Sequence, residues 1–173
     1  REGTGRAMER VMIIGSGGAG KSVLARELGQ RTGLPVHHLD TVFWKPGWEP
    51  MPKKEWGRKV AELARERAWI IDGNYSGTMD IRLKEADTII FLDYSRWMNI
   101  YGIIKRRIVY RKRSRPDMTE GCKEKLDWEF VKWVWNFEKE KAPLLREKLK
   151  KMEEKRVYHF RSRKELKAWL AGL

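Results

Sequence analysis

The chain has 173 residues and a net charge of +14, from 38 Lys and Arg against 24 Asp and Glu. That length suits one domain with a sizeable core, and the charge favours phosphates, nucleic acid or acidic surfaces over basic partners. A single cysteine, Cys122, excludes an internal disulfide, and no apolar run is long enough to span a membrane, so a reducing, cytoplasmic setting is expected. Residues 1–7 precede Met8 and read as a tag or ragged tail, which leaves 8–173 as a single domain.

Val11-Met12-Ile13-Ile14 predicts a first strand, and Val23-Leu24-Ala25-Arg26-Glu27-Leu28 a first helix. Between them stands Gly15-Ser16-Gly17-Gly18-Ala19-Gly20-Lys21-Ser22, with the spacing G-x-x-x-x-G-K-[ST]. Glycines there let backbone N–H groups wrap phosphates, because they tolerate positive φ and close approach. Lys21 is then expected on the β- and γ-phosphates of ATP, and Ser22 on Mg²⁺. The same residues also spell G-x-G-x-x-G at Gly15, Gly17 and Gly20, with Asp40 about twenty residues on, as a dinucleotide site requires. Lys-Ser after the last glycine has no use in that site and a direct use in a triphosphate site.

Gly33 closes the helix, and Leu34 to Leu39 reads as a second strand with Asp40 at its carboxyl end, where ligands of parallel sheets sit. His37 and His38 point to opposite faces, which argues against a shared metal. Thr41 to Pro52 is rich in proline and tryptophan, and Trp44 and Trp48 either cover a substrate or patch the core. Trp56, Val60, Leu63 and Ala64 recur at helical spacing.

Trp69-Ile70-Ile71-Asp72 and Thr88 to Asp93 are two further strands, each ending in aspartate as a Mg²⁺-supporting carboxylate requires. Asp72 is preferred, because Gly73-Asn74-Tyr75-Ser76-Gly77 opens a pocket, whereas Asp93 leads straight into a helix and reads as its cap near Ser95. That helix carries Trp97, Ile100, Tyr101, Ile104 and Ile108 on one face and ends in a basic cluster from Lys105 to Arg115. The cluster can be a solvated helix end, a nucleic-acid patch or a lid. Phosphoryl transfer needs cations on the migrating group, which favours a lid using Arg107, Arg111 and Arg115. Leu126, Phe130, Trp133, Val134 and Phe137 form the stripe of a further helix and read as core. Val157 to Phe160 is the fifth strand, and Ser162 with Glu165 caps a last helix.

The phosphate loop, His38-Leu39-Asp40, Trp44-Lys45-Pro46-Gly47-Trp48, Asp72-Gly73-Asn74-Tyr75 and Arg113-Ser114-Arg115-Pro116-Asp117 together resemble the bacterial DNA topology modulation proteins, which are similar to adenylate kinase in fold. The resemblance implies an α/β P-loop NTPase with a five-stranded parallel sheet flanked by helices, binding ATP with Mg²⁺. With a helical lid, the expected activity is phosphoryl transfer to a small-molecule or nucleotide acceptor, with Lys21, Asp40 and the lid arginines as catalytic groups. An ATP-regulated nucleic-acid-binding protein and a plain ATPase are the alternatives. DNA binding, if any, is expected to be non-specific.

Overall fold

A computed structural model of the protein describes residues 8–110 and 128–173. In chain order the elements are β1 (Arg10–Gly15), α1 (Lys21–Thr32), β2 (Val36–His38), α2 (Leu39–Phe43), β3 (Trp44–Lys45), β4 (Glu49–Pro50), α3 (Lys53–Ala64) and β5 (Trp69–Asp72). After a single 3₁₀ turn at Ser76–Thr78 come α4 (Met79–Glu85), β6 (Thr88–Leu92), α5 (Arg96–Tyr110), α6 (Trp128–Glu140), α7 (Ala142–Lys150), β7 (Arg156–Phe160) and α8 (Arg163–Ala171).

Five strands form one sheet in the order β2-β5-β1-β6-β7, every neighbouring pair parallel. Because side chains alternate along a strand, β1 sends Met12 and Ile14 into a core shared with Trp56, Val60, Leu83 and Phe137, and Val11 and Ile13 into a second core with Leu24, Leu28 and Leu170. Helices thus cover both faces, as the near-continuous apolar strands demand. The α/β architecture expected from the sequence is the one observed. The strand order also removes the dinucleotide alternative: that fold places the second strand beside the first, whereas here β5 separates β2 from β1.

Several local expectations change. The Thr41–Pro52 stretch is less irregular than its prolines suggest, with α2 running into a small antiparallel hairpin of β3 and β4. A helix, α4, follows the Asp72–Gly77 segment and was not foreseen; seven residues give too little periodicity to stand out. On α5 the face of Trp97, Tyr101 and Ile108 is exposed, at 70%, 62% and 68%, while Asn99 and Ile103 are buried. The reason is Gly102, whose lack of a side chain lets α5 approach the phosphate loop: a Cβ there would lie 2.0 Å from the Gly18 carbonyl oxygen. Backbone-to-backbone packing selects the small-residue face over the apolar one. At the last helix, Ser162 Oγ accepts from Glu165 N at 3.2 Å as expected, but the Glu165 carboxylate accepts from Arg161 N rather than from the cap residue itself. Among the described residues no helix is long and apolar enough to cross a membrane.

Candidate active site

β1 ends at Gly15, and the loop Gly15–Ser22 turns into α1 at the carboxyl edge of the sheet. Gly18 adopts φ +82° and faces α5 so closely that a Cβ would sit 2.1 Å from the Asn99 carbonyl oxygen. Gly20, at φ 93°, brings no capping side chain to α1, so the positive end of the helix is presented to the loop. Lys21 Nζ donates to the Ser16 carbonyl oxygen at 2.9 Å, folding the ammonium back over the loop that its charge serves. Ser22 is the second residue of α1 and half-buried.

Beside the loop runs β5. Asp72 is in register with Ile13 of β1 on one side and His38 of β2 on the other, which puts its carboxylate next to the loop. The His38 ring Nδ1 is hydrogen-bonded to that carboxylate. Burial pushes the Asp72 carboxyl above its ordinary value; the hydrogen bond and charge of His38 and the charge of Lys21 oppose the shift without reversing it. The next residues are tied to the loop directly. Gly15 N donates to Asn74 Oδ1 at 3.2 Å, and Asn74 Nδ2 donates to the Gly15 carbonyl oxygen at 2.5 Å.

What holds this segment in place is Arg82, a residue the sequence reading did not single out. It is fully buried and donates to the carbonyl oxygens of Gly73, Asn74 and Tyr75. Burial lowers its pKa to about 10, with Asp72 and Tyr75 opposing, so it stays charged at neutral pH. Its inward position beside Met79 and Leu83 emerges only once α4 is seen, since seven residues carry too little periodicity to reveal it in the sequence.

Asp40 lies on α2, half-buried, and accepts a hydrogen bond from the Tyr75 hydroxyl. Asp40, Lys21 and Gly17 border a cavity of about 960 Å³. Trp44 and Trp48 both line it, with ring centroids 5.4 Å apart, and Trp44 also packs on Phe43, so they serve cavity and core together. Phe130, Trp133 and Phe137 of α6 line it too, which corrects their reading as core alone. The reason is that α6 lies across the mouth of the loop: a Cβ at Gly17 would sit 2.8 Å from the Phe130 ring. Of the arginines at the end of α5, Arg106 borders the cavity and lies 5.8 Å from the Phe130 ring centroid, while Arg107 is half-buried and outside the lining. Arg111, Arg115 and Leu126 fall outside the described residues.

Asp93 follows β6, the other neighbour of β1, and does not cap α5. Ser95 Oγ does, accepting from Met98 N at 3.3 Å. The Asp93 carboxylate instead accepts from Arg146 at 2.7 and 3.0 Å and pairs with His159 Nε2 at 2.7 Å. Burial raises its pKa, but the hydrogen bonds and charges of Arg146 and His159 prevail and leave it below the ordinary carboxylate value. His37 likewise pairs with Glu66 at 3.1 Å, and among the described residues no three His, Cys, Asp or Glu side chains converge on a metal-sized site.

The parallel order β2-β5-β1-β6-β7 with a glycine-rich Lys-Ser loop after β1 is an α/β P-loop fold. The solved structure of shikimate kinase from Acinetobacter baumannii in complex with shikimate is similar across 96% of this chain and 95% of that one, with a TM-score of 0.54 and 15% sequence identity. No protein-family model matches the chain, and no curated protein matches it in sequence.

Proposed function

We propose that the protein is an ATP-dependent phosphotransferase acting on a small-molecule or nucleotide acceptor. The observation that carries this reading is the junction of the Gly15–Ser22 loop, Asp72 and Asp40 at one edge of the sheet, beside a cavity large enough for an acceptor. Lys21 neutralises the β- and γ-phosphates, and the N-terminus of α1 adds its dipole. The glycine cradle, the Ser22 hydroxyl and the Asp72 carboxylate fit a magnesium-bound triphosphate, with Ser22 as ligand and Asp72 supporting its shell. When bound, Mg²⁺ would supply neutralisation of the phosphate charge there.

Asp40 takes the proton of an acceptor hydroxyl as that oxygen bonds to the γ-phosphorus and the bond from phosphorus to the bridging oxygen of ADP breaks. The Tyr75 hydroxyl orients Asp40 for this. Arg106 and Arg107 at the end of α5, with Arg111 and Arg115 beyond it, are the cations proposed for the migrating phosphoryl group. The kinase-fold similarity supports the reading. Lys21→Ala tests it: ADP release should fall about 10²–10³-fold in a folded protein, since one preorganised donor to the transition state typically contributes that much. Turnover within a few-fold of the parent would sink it.

The +14 charge favours a second reading, in which ATP binding accompanies non-specific contact with DNA, in line with the DNA topology modulation resemblance. Such binding should weaken steeply with salt and ignore sequence. Selective binding to one duplex at high salt would instead rank nucleic-acid recognition first.

A further inference from the structure

The inward turn of the glycine face of α5 leaves its apolar face exposed. Trp97, Tyr101, Ile104 and Ile108 recur at i, i+4, i+7 and i+11, which puts them on one side of the helix, and all four are exposed. The stripe runs for three turns, about 16 Å at the helical rise. Asn99 and Ile103, on the other side, are buried against the phosphate loop.

α6 lies alongside and antiparallel to α5. Near one end Arg96 N donates to the Glu138 carboxylate at 2.8 Å, and near the other the Arg106 guanidinium stands 5.8 Å from the Phe130 ring centroid. Trp128, Lys132, Trp135 and Lys139 repeat the spacing of the α5 stripe on α6. Trp135 meets Trp97 edge to face at 4.8 Å, which joins the two stripes into one surface. Trp135 is half-buried there, whereas Trp128, Lys132 and Lys139 are exposed.

Charge narrows what this surface can hold. α5 contains no Asp or Glu, and Lys105, four residues past Tyr101, stands exposed beside the stripe. The four α6 positions add two lysines and no carboxylate, while Glu138 at their edge is paired with Arg96 at 3.6 Å. Residues 111–127, next in the chain, hold six Lys and Arg against four Asp and Glu, and the whole chain carries +14. A second copy of so basic a chain is repelled. The 111–127 stretch itself has only Met118 and Leu126 as large apolar side chains, half the number in the stripe it would have to cover.

A partner that is negative and apolar at once matches both properties. Trp and Tyr, each with an apolar body and a polar tip, suit the headgroup level of a bilayer, and isoleucines suit the acyl boundary beneath it. Lysines at the border extend their ammonium groups to lipid phosphates. Nucleic acid offers the negative charge but has no use for Ile104 and Ile108.

We infer that α5 and α6 form a docking surface for a bilayer rich in anionic phospholipid, with the α5 stripe in the interface and Lys105, Lys132 and Lys139 on the headgroups. The inward face of α5 keeps its contacts with the phosphate loop in that pose, so the inference stands apart from the kinase reading.

Co-sedimentation of the full chain with two kinds of vesicle tests this, one of phosphatidylcholine alone and one of phosphatidylcholine and phosphatidylglycerol in equal parts. The mixed vesicles should bind at least about tenfold tighter. Lys132→Gln with Lys139→Gln should weaken that binding at least about tenfold, since a lysine near an anionic surface contributes about fivefold. Tyr101→Ser with Ile108→Ser should weaken it by a similar factor through lost apolar burial. Both paired variants should keep the parent's urea midpoint, because the replaced side chains are exposed. Mixed-vesicle binding that ignores the Tyr101 and Ile108 pair is adhesion by bulk charge and overturns the inference. Equal binding to the neutral vesicles, or none to the mixed ones, does so too. A parent that sediments as a dimer without lipid, with the Tyr101 and Ile108 variant a monomer, also overturns it and assigns the surface to a second copy.

Discussion

Asp72 and Asp93 end two apolar strands that flank β1 on either side, and in sequence they are near twins. In the structure they part company. Asp72 faces the phosphate loop, hydrogen-bonded to His38 and within reach of the Lys21 charge, and burial still lifts its pKa; Asp93 is clamped by Arg146 and His159, and its pKa is depressed. A carboxylate that pairs with a guanidinium has satisfied its charge within the protein. For Asp72, where burial outweighs His38 and Lys21, we propose an arrangement for charge that arrives with a ligand. The position at a strand end is shared; the partners decide the role.

Asp40 is the third carboxylate at this edge, and its removal should have the largest effect on rate. Asp40→Asn is expected to slow phosphoryl transfer about 10²–10⁴-fold with ATP affinity nearly unchanged, the usual contribution of a positioned base. Loss of ATP binding in that variant, measured by calorimetry, would move Asp40 into the metal shell and blur the contrast between the two strand ends. Asp72→Asn should lower ADP release about 10–100-fold, typical for a group that supports a metal through its surroundings. Its fold should not suffer, because a costly buried carboxylate is replaced by a neutral amide.

Asp93→Asn should do the reverse, with ADP release within a few-fold of the parent and a loss of about 2 kcal/mol in urea unfolding. That figure lies below the roughly 3–5 kcal/mol of a fully buried pair because the Arg146 side chain is 36% exposed. The smallest effect is on the pH profile of stability. For Asp93 the folded pKa is depressed, so its stabilisation is complete above the ordinary value of 3.8 and is lost as pH falls below it. For Asp72 the folded pKa is raised, so its destabilisation at neutral pH is relieved as pH falls toward 3.8. Unfolding titrations of the two asparagine variants should therefore diverge from the parent with opposite signs; a common sign would contradict the assigned environments.

The five strands of the main sheet and the phosphate loop were legible in the sequence because each rests on a local rule: an apolar run reads as a buried strand, and glycines before Lys-Ser read as a cradle. Ser162 announced its helix by the same kind of local chemistry. What stayed hidden depended on distant contacts. Nothing near Asp93 in sequence foretells Arg146 or His159, which lie 53 and 66 residues away. The apolar face of α5 carries no mark in sequence of which way it turns, and the approach of Gly102 to Gly18 is what sets it outward. The stripe of α6 read as core because periodicity reports which face is covered, without saying whether protein or a cavity covers it.

The central claim is that the loop and Asp72, rather than Asp93, form the place where magnesium and ATP meet. Calorimetric binding of ATP with and without Mg²⁺ to the parent, Asp72→Asn and Asp93→Asn tests it most directly. Magnesium should tighten ATP binding in the parent and in Asp93→Asn and lose most of that effect in Asp72→Asn. Loss of the magnesium effect in Asp93→Asn alone, or no ATP binding by the parent, would contradict the account.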